Sequence, residues 1–239
     1  MPTTSSRLTD RVVLVTGGAS GLGAAVVTAV AAEGGRPVVL DRQPPTSAIN
    51  QSGLEFEKVD LADTAETERA VCAVADRLGR IDAVVTCAGV DRPAPFETLA
   101  AHDWERIVRV NLFGTASVIR AALPALDRSR GRVVTVASTL GHRVAGDASA
   151  YCASKWGVVG LTRALTAELA GRIPITLLTP GGMATSFFDD RDDQYKPAPD
   201  TPLCDPADVA ETVVFALTRP PGCEVKELIV AGPAETSWP

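Results

Sequence analysis

Residues 12–23 read VVLVTGGASGLG, and their order decides the fold. The first half is a β-branched apolar run brought to an end by glycines, the signature of a strand. The second half opens a helical pattern, LGAAVVTAVAAEGG, from Leu22. Between them Gly17, Gly21 and Gly23 are spaced G-x-x-x-G-x-G. Glycine permits a positive φ in a tight turn and lets backbone amides come close to a pyrophosphate. The N-terminus of the following helix adds free N–H groups and partial positive charge. No Gly-Lys-Ser/Thr follows, so the loop is not a P-loop. A tightly packed strand-to-helix turn also uses glycines, but three of them at this junction favour a dinucleotide.

The alternation continues outward. Further strands are predicted at residues 37–41 (PVVLD), 54–60 (LEFEKVD), 83–86 (AVVT), 132–138 (RVVTVAS), 174–180 (PITLLTP) and 227–231 (ELIVA). Helical patterns occupy residues 64–78, 101–127, the stretch through Tyr151 to about residue 169, and 206–218. Strands that are apolar throughout imply burial on both faces, hence a parallel sheet covered by helices. The expectation is a doubly wound α/β (Rossmann) fold of about seven strands. It forms a single domain over residues 1–239, without repeats or a low-complexity linker. In such folds ligands bind at the carboxyl ends of strands, so the chemistry should follow strands.

Composition narrows the function. A chain of 239 residues, 46% apolar and 22% charged, has the makeup of a globular protein with a sizeable core. No apolar run approaches the ~20 residues of a membrane span. The polar opening, MPTTSSRLTDR, holds no apolar signal core, so a cytoplasmic protein is expected. A net charge of −6 argues against nucleic acid as the main partner. Cys72, Cys87, Cys152, Cys204 and Cys223 form no CxxC pair, and only His102 and His142 accompany them. No metal site is expected, and the thiols read as reduced and mostly buried.

Several polar residues sit where strands end. Asp41 closes the second strand, 18 residues after Gly23, where an acidic residue accepts from the adenosine ribose hydroxyls. The alternative is an aspartate starting the turn before Gln43-Pro44-Pro45. Asp60 ends the third strand and either lies near adenine or caps a helix. Tyr151 and Lys155, in YCASK, are four apart and share a helix face. Alone, that pair reads more readily as an amphipathic helix with a packed tyrosine and a snorkelling lysine than as a general acid whose proton affinity a neighbouring ammonium lowers.

Taken together, the glycine loop, Asp41 and Tyr151/Lys155 resemble the short-chain dehydrogenase/reductase family in its single-domain branch. The likeness runs from Val12 to about Val230. Its markers come in family order: TGGASGLG, Asp60, Cys87-Ala88-Gly89, Asn111 in RVNLFG, Ser138, Tyr151 and Lys155, and PGGMAT from Pro180 to Thr185. The resemblance implies that Tyr151 is the acid/base and that Lys155 binds the nicotinamide ribose while lowering the pKa of Tyr151. It also implies that Ser138 hydrogen-bonds the substrate oxygen, and that Asn111 distorts its helix and holds a water in a proton relay. Cofactor binding falls by the same resemblance to Gly17, Ser20, Gly21, Leu22, Gly23, Asp41, Asp60, Leu61, Cys87, Ala88, Gly89, Tyr151, Lys155, Pro180, Gly181 and Thr185. The physics agrees: a free tyrosine titrates near pH ~10, and adjacent positive charge favours the phenolate.

Two departures stand out. Thr86-Cys87-Ala88-Gly89 replaces the Asn-Asn-Ala-Gly common in relatives, and IVAGPAETSWP closes the chain where relatives often carry Asp-Gly-Gly. The implied activity is NAD-linked interconversion of a small-molecule secondary alcohol and a ketone. The alternatives are an NADPH-dependent ketoreductase, with Arg42 or Arg36 on the 2′-phosphate, and a non-catalytic dinucleotide-binding protein. A substrate pocket is expected from Leu140, His142, Arg143, residues 91–95 and residues 186–204, the last as a mobile lid. His142 reads as a solvated loop histidine. A homotetramer is implied by the resemblance.

Overall fold

Both faces of the apolar runs are covered in the computed structural model, which describes residues 6–46 and 54–238. The first five residues of the polar opening therefore lie outside the described residues. β1 (Val12–Thr16), β2 (Arg36–Asp41), β3 (Glu55–Lys58), β4 (Ala83–Thr86), β5 (Arg132–Val136), β6 (Ile175–Pro180) and β7 (Glu227–Val230) form one parallel sheet. Their order is β3-β2-β1-β4-β5-β6-β7. Around it lie α1 (Gly21–Ala32), α2 (Thr64–Leu78), α3 (Ala101–Val108), α4 (Thr115–Ser129), α5 (Ser149–Glu168) and α6 (Pro206–Leu217).

Successive side chains of a strand point to opposite faces, and β1 supplies both cores. Val12 and Leu14 pack with Val71 and Val74 of α2 and with Val118 and Ile119 of α4. Val13 and Val15 pack with Val26 and Val30 of α1 and with Val209 and Val213 of α6. Strand order reverses between β1 and β4, which opens a crevice at their carboxyl ends. The glycine loop enters that crevice.

The helix predicted over residues 101–127 is not continuous. α3 stops at Val108, residues 109–114 form a wider π-turn, and α4 resumes at Thr115. Tertiary contacts draw this turn out of register. Asn111 reaches sideways to the Val90 backbone, and a Cβ on Gly114 would stand 2.8 Å from Leu61 Cβ. α2 matches its predicted span because its stops are local. Asp63 caps it by accepting from Glu66 N at 2.9 Å, and Gly79, at φ 73°, ends it.

All five cysteines are free, but the expectation that most are buried fails. Cys152 is buried and Cys87 and Cys204 are half-buried, whereas Cys72 and Cys223 face solvent from α2 and from the turn before β7. Among the described residues no helix is long and apolar enough to cross a membrane, and no cluster of ligating side chains could hold a metal.

Candidate active site

The glycine loop is built so that only glycine fits. Gly17 has φ +66°, and a Cβ there would lie 2.7 Å from Ala88 Cα; at Gly23 it would lie 2.1 Å from the Gly17 carbonyl oxygen. Gly21 has φ +51°, and a Cβ there would lie 3.6 Å from the Thr185 side chain across the crevice. Ser20 is the N-cap of α1, yet its hydroxyl makes no capping bond, so the first-turn amides keep their capacity for an anion. Leu22 is buried behind the loop.

Asp41 ends β2 with its carboxylate turned to this loop, accepting from Ala19 N and from Gln43 N at 3.1 Å each. Arg42, Lys58, Val59, Asp60 and Glu66 line a neighbouring cavity of about 320 Å³. Lys58 stands opposite Asp41 in the β2–β3 register, a cation that only strand pairing brings there. Asp60 does not cap α2, since Asp63 does. It accepts from Ala62 N at 3.0 Å and pairs with Arg106 at 3.0 Å. Burial pushes its pKa up, but the Ala62 amide and Arg106 outweigh that and hold it below the ordinary range.

At the end of β4 the tie to β1 comes from Thr16, whose Oγ1 accepts from Ala88 N at 3.2 Å. Burial pushes the Cys87 thiol up to about 12, which leaves it protonated. A Cβ on Gly89 would lie 3.7 Å from both Asn111 Oδ1 and Lys155 Nζ. The implied catalytic residues converge at that point. Asn111 is buried; its Oδ1 accepts from Val90 N at 2.8 Å, and its Nδ2 donates to Val90 O at 2.9 Å and to Ser154 Oγ at 3.0 Å. Lys155 is also buried; its Nζ donates to Val136 O at 2.9 Å and lies 5.6 Å from the Tyr151 ring centroid. Ser138 follows β5, accepts from Leu140 N at 3.2 Å, and its side chain opposes the rise in the Tyr151 pKa.

The electrostatics differ from the family expectation. Burial pushes Tyr151 up to about 12; Ser138 and Arg191 oppose this, while Asp91 and Cys152 add to it. Burial pulls Lys155 down to about 8, against Cys87 and Asp91. Desolvation disfavours the charged form of both groups and outweighs the neighbours that oppose it. Without a cofactor beside it, burial therefore favours the phenol form of Tyr151.

The segment after β6 covers this cluster. It holds short 3₁₀ turns at Ser186–Phe188 and Asp193–Tyr195. The Phe187 ring lies 5.9 Å from the Tyr151 ring, the Arg191 guanidinium lies 4.9 Å and 4.7 Å from the Phe187 and Phe188 rings, and Arg191 pairs with Asp91. Tyr195 OH donates to Asp147 at 2.9 Å. No sequence signal marks the Asp91–Arg191 pair, because its members are 100 residues apart.

The closing segment, a departure from relatives, folds over the loop after β6. Glu235 accepts from Gly182 N at 2.8 Å, and a Cβ on Gly181 would stand 2.5 Å from Glu235 Oε2. Ser237 Oγ lies 2.7 Å from Thr139 Oγ1, next to Ser138. Trp238 meets His142 edge-on at 5.4 Å, and His142 Nε2 pairs with Thr179 Oγ1 at 3.1 Å. His142 is thus a packed residue and not a solvated one.

Residues 11–196 match the model of the family described as short chain dehydrogenase. An uncharacterized oxidoreductase of Staphylococcus aureus is 30% identical over 230 residues, covering 93% of this chain and 97% of the relative. D-threitol dehydrogenase of Mycolicibacterium smegmatis is 36% identical over 190 residues, 76% of this chain and 73% of the relative. In fold the chain is similar to an alcohol dehydrogenase of the archaeon Thermococcus sibiricus complexed with 5-hydroxy-NADP, with a TM-score of 0.81 at 24% identity, over 92% of this chain and 95% of that one. Matched by that family model over most of its length and by relatives at 30% and 36% identity, the chain belongs to the short-chain dehydrogenase/reductase family and is an NAD(P)-dependent oxidoreductase acting on CH–OH groups.

Proposed function

We propose that the protein interconverts a secondary alcohol and a ketone with NAD, using Tyr151 as acid/base. The observation that carries this is the convergence of Asn111, Ser138, Tyr151 and Lys155 at the carboxyl ends of β4 and β5. The glycine cradle and the uncapped first turn of α1 fit a dinucleotide's pyrophosphate, with Thr185 across the crevice from Gly21. Bound there, the nicotinamide accepts or supplies the hydride.

The rest is the work of the chain. Ser138 and Tyr151 hold one substrate oxygen between their hydroxyls, a pairing supported by the pull of Ser138 on the Tyr151 pKa. In reduction Tyr151 gives that oxygen its proton; in oxidation it takes the proton back. Lys155 and Asn111 are fixed by buried hydrogen bonds, which keeps the cluster in one arrangement.

Preference for NAD rests on Asp41. A 2′-phosphate beside its carboxylate meets repulsion of about 4 kcal/mol per unit-charge pair at ~4 Å and an effective dielectric near 20. Screening leaves about 1–3 kcal/mol, roughly a 5–150-fold discrimination. The NADPH reading is favoured by one observation, Lys58 joining Arg42 around the neighbouring cavity. Initial rates with both cofactors over a panel of secondary alcohols, tetritols first because of the Mycolicibacterium relative, test the proposal. A higher kcat/KM with NADP, unaffected by Asp41→Ala, refutes the cofactor assignment.

Residues 186–204 serve as a lid, supported by Phe187 packing on Tyr151 and Arg191 bridging to Asp91. A homotetramer is supported by the exposed Phe113 and Trp156 on the helical face of the π-turn and α5. The free thiols fit a cytoplasmic, reducing location.

A further inference from the structure

Asp91 and Arg191 form an ion pair at 2.9 Å whose side chains are only 5% and 15% exposed. Asp91 sits two residues past Gly89, on the loop that also carries the backbone gripped by Asn111. Arg191 lies on Phe187, and Phe187 lies on Tyr151. The pair therefore closes the space in front of Tyr151 from two sides, one from the loop after β4 and one from the segment after β6.

The charges of this pair are matched, but its hydrogen bonds are not used up. A guanidinium carries five N–H donors and a carboxylate about four lone-pair sites. Arg191 gives one good bond to Asp91 and a marginal one, 3.5 Å, to the Tyr195 carbonyl. Its Nε is buried and meets no acceptor among the described residues. Among the described residues the second Asp91 oxygen accepts only from the neighbouring Arg92 N, at 2.8 Å.

Each class of substrate meets this wall differently. An apolar monohydric alcohol leaves the spare donors and lone pairs desolvated and unmet, which is costly. A carboxylate or an ammonium must compete for one partner and strand the other charge in a buried place. A neutral molecule with a hydroxyl beside the reacting carbinol satisfies both, accepting from Arg191 and donating to Asp91.

We propose that Asp91 and Arg191 make this site selective for neutral vicinal diols and polyols, by hydrogen-bonding the hydroxyl next to the carbon that is oxidised. The proposal rests on the alcohol–ketone reading above. In the forward step the carbinol C–H bond breaks and its hydride passes to the oxidised nicotinamide. Tyr151, having given its own proton to solvent as the positively charged oxidised nicotinamide binds beside it, takes the O–H proton as a phenolate, and the product is an α-hydroxyketone with its neighbouring hydroxyl intact.

The test is a matched panel with the purified enzyme: 2,3-butanediol stereoisomers and a tetritol, against 2-butanol and 3-hydroxybutyrate. The expected kcat/KM is roughly tenfold or more higher for a diol than for either competitor. Asp91→Asn and Arg191→Lys should each reduce the diol-to-2-butanol ratio about tenfold, mainly through KM for the diol. A pair with a purely structural role would depress both substrates alike and leave the ratio standing, which overturns the proposal. Preference for 2-butanol or for 3-hydroxybutyrate in the wild type also overturns it, even where a variant fails to fold. Turnover of 2-butanol without diol preference leaves the alcohol–ketone reading intact, whereas turnover of no alcohol with either cofactor defeats both.

Discussion

Glu235→Ala tests whether the closing segment holds the active-site loops in place. The carboxylate accepts from Gly182 N at 2.8 Å, Ser237 N at 3.1 Å and Ser237 Oγ at 2.6 Å, and Ser237 in turn meets Thr139. It thus links the loop after β6 to the loop that carries Ser138. A hydrogen bond to a charged acceptor contributes about 1.5–3 kcal/mol. Glu235 is half-buried, and two of its bonds are local, so solvent screening reduces the sum. We expect a loss of about 2–3 kcal/mol. In a chain of this length that lowers Tm by roughly 4–12 °C, together with a weaker affinity for NADH. Glu235→Gln keeps one acceptor oxygen and should lose less than about half as much.

The pH dependence of that difference has a definite sign. Burial raises the Glu235 pKa, but the Ser237 side chain, the Gly182 amide and the Ser237 amide pull it below its usual 4.5. A carboxylate depressed in the folded state stabilises above its unfolded pKa and loses that contribution as pH falls through the folded value. The gap between wild type and Glu235→Gln should therefore be constant near neutrality and close below pH 4.5. Scanning calorimetry across pH and fluorescence titration with NADH measure both effects. A Glu235→Ala Tm within about 1 °C of wild type, with unchanged NADH affinity, refutes the clamp.

Three further outcomes are expected. Tyr151→Phe should bind NADH normally while kcat falls about 10²–10⁴-fold; near-normal turnover in stopped assays would remove Tyr151 from the chemistry. Asn111→Leu deletes three hydrogen bonds at once and should cost about 2–4 kcal/mol in denaturant unfolding, so an unchanged midpoint would show the π-turn to be held by something else. Lys155 titrates near 8 in the fold and near 10.5 outside it, so the unfolded chain binds more protons between those values. Stability from this group rises with pH across that window, and the advantage of Lys155→Met over wild type in Tm should shrink from pH 8 upward. A constant advantage would contradict the depressed value.

How much was legible depends on the range of the forces involved. Strands that are apolar on both faces, the caps of α2 at Asp63 and Gly79, and the glycines between β1 and α1 are local signals, and each stands where residue order predicts. The Tyr151–Lys155 spacing is a property of one helix, so it too could be read directly. By itself, then, the sequence determined a doubly wound parallel sheet, the glycine turn between β1 and α1 and the helix that bears Tyr151 and Lys155. What it lacked was any term linking residues far apart in order. The break between α3 and α4 arises from Asn111 bonding to Val90, 21 residues away, and local helix propensity carries no trace of that. Asp91 meets Arg191, Lys58 comes beside Asp41, and Glu235 reaches Gly182 only because the sheet brings separate loops to one edge. Burial likewise belongs to the assembled fold, and it sends Tyr151 up and Lys155 down where the family resemblance implied a lowered Tyr151. Tertiary structure decided these points because desolvation and long-range hydrogen bonds exist only once the chain has closed around them.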